Sequence, residues 1–277
     1  MSNLVRVLIA FWRQHTREAL ADPPLLIRDA SVLASAVAMC WFSGGFIDRA
    51  LATAGTPMTS SWFLFALTGV TGMLIVDVTL RAFTRRVTHA QKSGLLEAAV
   101  MTRTPLWRIL LVMPTFDVAT RYVVCWGLLV AGLVLDGGAV TTAQMGWIAA
   151  VLALGLAAMT TIAMVSASIS IIVKYTDPLG LLVALASAVC GGIVYPRADL
   201  PPALAFVGDH LPIGPLVDGL RAAVAGDADG AAAAVTTLGL TVAVLAPVAV
   251  GMSIYGMRRL LGDGALWRRR GPTHIQA

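Results

Sequence analysis

Lysine is nearly missing from this chain: Lys92 and Lys174 are the only two. Neither follows a glycine, so no GxxxxGK[ST] loop exists to cradle nucleotide phosphates. The four histidines, His15, His89, His210 and His274, fall in four separate segments, which argues against a histidine metal site. HExxH and GxSxG patterns are absent, as are paired carboxylates at catalytic spacing. Cysteine is scarce as well. Cys40, Cys125 and Cys190 each lie inside an apolar run with no CxxC, and they read as small buried hydrophobes rather than ligands or redox partners. No catalytic residue and no metal site is expected of this chain, and it is not expected to be an enzyme.

Charge is also sparse, at 13% of residues against 58% hydrophobic, well away from the balance of a soluble domain. The charges cluster and leave long runs free of them, long enough for bilayer-spanning helices. Six spans are predicted, at about 30–47, 60–80, 110–135, 145–173, 179–195 and 232–256. The expected fold class is an all-α integral membrane protein with a single transmembrane domain over 1–277. The first apolar run begins only near residue 30, so a cleavable signal is not expected.

Arginine sets the expected orientation. Arg6, Arg13, Arg17 and Arg28 precede the first span, and Arg81, Arg85, Arg86, Lys92, Arg103 and Arg108 lie between the second and third. Arg258, Arg259 and Arg268–Arg270 follow the sixth, in a tail over 257–277. Only Arg49, Arg197 and Arg221 fall on the opposite side, so the positive-inside rule puts both termini in the cytoplasm. The basic balance, net +5, then points to anionic inner-leaflet lipid rather than nucleic acid.

Several stretches stand out between the runs. Residues 1–22 carry Leu4, Leu8, Phe11, Trp12 and Ala19 at helical spacing with Arg6, Arg13 and Arg17 on another face. That pattern suits an interfacial helix with Trp12 at headgroup level, or an ordinary cytoplasmic helix. Asp22-Pro23-Pro24 ends it. Trp41, Phe42, Phe46, Trp62, Phe63 and Phe65 gather around the first outer loop, either as an aromatic belt or as a ring that guides a sugar chain. Asp117 and Arg121 stand at i,i+4 in the third span. They are a structural pair near the inner mouth or part of a translocation path, since ionisable groups in spans face the bundle interior or water.

Two stretches carry the functional reading. "HAQKSGLLEAAVMTRTPLWRIL" (89–110) is mildly amphipathic and lies between two spans. Leu95/Ala99 and Leu96/Val100 are i,i+4 pairs, and Pro105 stops or bends the helix. The second stretch, 196–230, sits where a polar outer loop is expected yet is mostly apolar and rich in proline. Irregular backbone at membrane depth is tolerated only when buried in protein or lining a cavity. Two short re-entrant helices, around Ala203–Val207 and Leu216–Ala225, would satisfy that, with Asp218 and Arg221 pairing at i,i+3 on a side facing water.

"SGLLEAAVMTRTP" resembles the Gly-Thr-Leu-Glu…Thr-Pro pattern in the membrane subunits of type-2 ABC exporters. Gly94, Leu96, Glu97, Thr104 and Pro105 match, while Leu95 stands where the family usually has Thr. "YPRADLPPALAFVGDHLPIGPLVDGLRAAVAG" resembles the same family's Pro…Leu-Pro…Pro…Arg region, through Pro196, Leu200, Pro201, Pro215, Leu220 and Arg221. Taken with six spans and an amphipathic N-terminal segment, the resemblance covers nearly the whole chain. It implies that 88–108 is a coupling helix, with Gly94, Leu96, Glu97, Thr104 and Pro105 at the interface to a separate ATPase subunit. That subunit, in two copies, would bind ATP and Mg. A second membrane subunit, the same chain or a paralogue, would complete the unit in a bacterial inner membrane. Pro196, Pro201, Pro215 and Arg221 would belong to an extracytoplasmic gate.

The expected function is therefore export of an amphipathic lipid or hydrophobic drug-like molecule, since few aromatic residues lie mid-span, Trp126 being one. Export of a lipid-linked polysaccharide fits the same architecture. An ion-coupled secondary transporter is the reading from another class. It would rest on Asp117 as the lone intramembrane carrier, without the internal repeat such proteins show. A non-transporting scaffold would leave both unusual stretches without a purpose.

Overall fold

A computed structural model describes Trp12 and residues 23–53, 61–92, 115–138, 140–173, 178–193 and 200–262. Among these residues there are eight helices of more than one turn and no strand. They are α1 (Pro23–Thr53), α2 (Trp62–Lys92), α3 (Thr115–Leu135), α4 (Thr142–Val173), α5 (Pro178–Cys190), α6 (Pro202–His210), α7 (Ile213–Ala225) and α8 (Ala228–Gly262). Pro23 and Pro24 open α1, the place in a helix where a missing N–H forfeits nothing. Apart from Trp12, the N-terminal segment they were expected to end lies outside the described residues.

Five of these helices are long and apolar enough to cross a membrane: stretches Ala30–Ala50, Trp62–Arg81, Thr115–Leu135, Thr142–Ser170 and Ala228–Gly256. By length and composition this is an all-α, multi-pass membrane protein. The remaining expected span, 179–195, comes out differently. Its helix α5 has 13 residues, about 20 Å at 1.5 Å per residue, against a hydrocarbon core of about 30 Å. The cause is local. Gly192 takes the left-handed conformation (φ 66°), and a side chain at Gly191 would collide with the Ser187 carbonyl and with Ile213. The helix ends there and the chain turns.

The connected helices define two ends of the bundle. At the distal end α1 leads into α2, α3 into α4 and α7 into α8; α2 ends, and α3 and α5 begin, at the proximal end. Contacts across each pair fix this arrangement. Asp48 of α1 accepts a hydrogen bond from the Trp62 backbone N–H (3.1 Å), capping α2 from a neighbouring helix. Tyr122 and Trp126 of α3 donate to the Ala149 and Met145 carbonyls of α4, an antiparallel register. α4 and α8 form the most extensive helix pair. They run parallel, with Ser168 and Ser253 sharing a buried hydrogen bond at 3.0 Å.

The core lies along α2, α4 and α7. Leu67, Ile75, Val76, Ile148, Val151, Leu152 and Met159 are sealed from solvent on α2 and α4. α1, α3 and α8 bury only one face; Met39, Phe42, Phe46, Val123, Leu240 and Val244 are exposed, as helices around a bundle in lipid would be. Cys40, Cys125 and Cys190 are buried free thiols, as their apolar surroundings in the sequence led one to expect. Near the proximal end Asp77 pairs with Arg81 one turn on, at 2.5 Å, and the Trp12 indole donates to Thr115 Oγ1 (3.3 Å) and meets Phe116 edge-on.

Candidate functional site

The short helix α7 occupies a place that a surface loop would not. Ile213, Leu216, Val217 and Leu220 are fully buried, because α7 is wedged among α2, α4 and α8. Glycines make room at each crossing, on α2 and α4 and on α7 itself. Val217 lies against Gly72 of α2, where a Cβ would approach it to 2.7 Å; Leu216 fills the space over Gly155 of α4; and Gly219 of α7 faces Ala234 of α8. Small residues at such crossings allow close backbone approach.

These contacts fix its depth. Gly72 is ten residues past Trp62, the first residue of α2, about 15 Å from the distal rim. Gly155 is thirteen residues past Thr142, about 20 Å. The start of α7 thus sits about 15–20 Å from the distal ends of α2 and α4, and its far end returns toward them. There Gln144 donates to the Val224 carbonyl (3.3 Å) while its own carbonyl oxygen accepts from the Thr141 N–H. Thr141 Oγ1 in turn accepts from the Gln144 N–H (3.2 Å), a capping box that starts α4 and fastens α7 with one side chain. Gly226 (φ 80°) closes α7 in the left-handed conformation. Asp227 Oδ1 then accepts from the Gly230 N–H (3.1 Å) to start α8.

Of the sequence-predicted gate residues, Pro201 and Pro215 sit at helix starts. Pro201 precedes α6, and its carbonyl accepts from Leu204 and Ala205. Pro215 lies in the first turn of α7, where no intrahelical N–H bond is lost. Arg221 differs most from expectation. Its guanidinium lies over the Phe65 ring of α2, 3.6 Å from the centroid, and donates to the Gly192 carbonyl at 2.7 Å. The expected partner Asp218 is at 4.0 Å, the outer limit of an ion pair. Arg221 therefore ties α7 to α2 and to the unwound turn after α5. Phe65 was expected only as one of a group of rim aromatics. Its i,i+3 spacing from Trp62 gave no hint of a cation on its face.

The other aromatics separate. Trp41 packs edge-on against Phe63 (5.1 Å), which is buried, whereas Phe42 and Phe46 are exposed. Asp117 and Arg121 are half-buried in the first two turns of α3. Gly94, Leu96, Glu97, Thr104, Pro105 and Pro196 lie outside the described residues. Among the described residues no three His, Cys, Asp or Glu side chains come together as a metal would need. No protein-family model matches the chain, and no curated protein matches it significantly.

Proposed function

We propose that this chain is the membrane subunit of an ATP-driven exporter of the type-2 ABC kind, moving an amphipathic lipid or hydrophobic drug-like molecule outward. The observation that supports this reading is α7, a short helix buried among three helices long and apolar enough to cross a membrane. In this reading the distal end is extracytoplasmic and both termini are cytoplasmic. The α6–α7 hairpin is a gate, and the 88–108 segment docks on a separate ATPase that binds ATP and Mg. Two membrane subunits, this chain twice or with a paralogue, and two ATPases form the working unit. Basic residues at the inner face hold anionic lipid.

The mechanism follows from α2. This one 31-residue helix reaches from the Phe65 and Gly72 contacts with α7 to Lys92, so its last turn is the first part of the 88–108 segment. A displacement delivered at its proximal end is felt at the gate, because packed interfaces switch between discrete arrangements rather than deform continuously. ATP binding then shifts the population toward an outward-open state.

Mild detergent extraction followed by native mass tests this reading. A co-purifying P-loop protein in a two-plus-two assembly is the expected result, and truncating Leu96 and Glu97 to Ala should abolish transport while the ATPase still turns over. A chain that emerges alone and supports ion-dependent flux in vesicles would replace the reading with an ion-coupled transporter.

A further inference from the structure

α8 carries residues that its packing does not explain. At Gly239 and Gly251 an added side chain would meet nothing within 4 Å, unlike Gly72, Gly155 and Gly219, which each make room at a crossing. Glycine inside a helix is less favourable than alanine, so these two weaken α8 without allowing a closer approach. Between them stands Pro247. It has no N–H, so the Ala243 carbonyl one turn back has no intrahelical donor. Burial is interrupted over the same stretch. Ala231, Ala234 and Leu238 are buried on the distal side, Ala234 against Gly219 of α7. Ala249 and Ser253 are buried on the proximal side, but no residue from 239 to 248 is. Proline and glycine are where long helices bend, and here they coincide with the gap between two seated parts.

The proximal contact of α8 with α4 is able to part. Ser168 and Ser253 are sealed from solvent, with their hydroxyl oxygens 3.0 Å apart. Each also lies 2.8 Å from the carbonyl four residues earlier in its own helix, Met164 in α4 and Ala249 in α8. Two hydroxyl protons are thus offered three contacts, so one contact is always idle. Once separated, the serines donate to Met164 and Ala249, and no hydrogen bond is lost. No buried polar group is orphaned, which is the penalty that usually keeps such contacts closed. We infer that α8 is a jointed helix: its distal part stays with α7 while its proximal part swings from α4 about Pro247, and Ser168–Ser253 is a latch that opens without loss of hydrogen bonds. Two discrete arrangements of one helix are the kind of element a transport cycle needs. The joint goes beyond the export reading and does not depend on what drives transport.

Distances between spin labels on the full-length chain in lipid nanodiscs, without nucleotide, test it. Labels at Leu181→Cys of α5 and Tyr255→Cys of α8, both exposed and proximal, should give two distances; the native thiols are buried. Pro247→Ala restores the missing N–H and should shift the ratio of the two at least about fivefold toward one. A distal pair, Leu135→Cys with Thr236→Cys, should give one distance in both backgrounds. A single proximal distance, or a ratio that Pro247→Ala leaves unchanged, would overturn the joint. Two distances in the distal pair as well would mean that α8 moves as a rigid rod and would overturn it too. Ser168→Ala leaves Ser253 one donor bond in either arrangement, so it should change the proximal ratio by less than about twofold. A larger change would show that the bond between the serines carries net energy and would refute the cost-free latch. None of these readouts involves ATP, so they stand or fall apart from the ATPase partnership.

Discussion

Replacing Arg221 tests whether α7 is fastened as described. Its guanidinium stacks on Phe65 at 3.6 Å and donates to the Gly192 carbonyl at 2.7 Å, and the side chain is 18% exposed. A partly desolvated cation–π contact is worth about 1–2 kcal/mol, and a charge-assisted hydrogen bond about 1.5–3 kcal/mol. Freeing the long side chain returns up to about 2 kcal/mol of rotamer entropy. Arg221→Ala should therefore destabilise the fold by about 2 kcal/mol, and Phe65→Leu, which keeps most of the apolar area, by about 1 kcal/mol. The pair shares one contact, so Arg221→Ala with Phe65→Leu should cost about 1 kcal/mol less than the two singles together. Denaturant unfolding of the four variants in a mild detergent, followed by tryptophan fluorescence, reads this coupling. Additivity within about 0.3 kcal/mol would show that the ring contributes packing alone and would refute the tether between α2 and α7.

Gly155→Val should overpack the site filled by Leu216 and lower stability by about 1–3 kcal/mol, measured by the same unfolding; an unchanged midpoint would mean that α7 is not seated on α4. Gln144→Ala removes both the capping box and the bond to Val224, a loss of about 1–2 kcal/mol. It should raise hydrogen exchange at the C-terminal end of α7, whereas a change confined to α4 would count against the link.

The membrane character and the long helices were legible because charge-free runs of spanning length are a composition signal. α6 and α7 were legible for a different reason: prolines and apolar residues in a place meant for a polar loop, so Pro202–His210 and Ile213–Ala225 extend but do not displace the expected short helices. The length of α5 was harder. The apolar character runs on through Ile193, Val194 and Tyr195, and hydropathy gives little weight to a Gly-Gly pair whose effect is conformational. Arg221 was legible as a special residue, but its partner was not. Asp218 is close in sequence, whereas Phe65 and Gly192 come together only through the packing of three elements.

The wedged position of α7 has a consequence for biogenesis. Its buried face rests on α2, α4 and α8, and α8 is the last of these to be synthesised. While residues 213–225 emerge, one wall of their final site does not yet exist. A segment of 13 residues is also too short to be retained as a span on its own. The hairpin therefore completes its docking after translation of α8, as a post-insertional step. A nascent chain stalled before residue 228 should expose 213–225 to protease or chaperone, and release of the full chain should hide it.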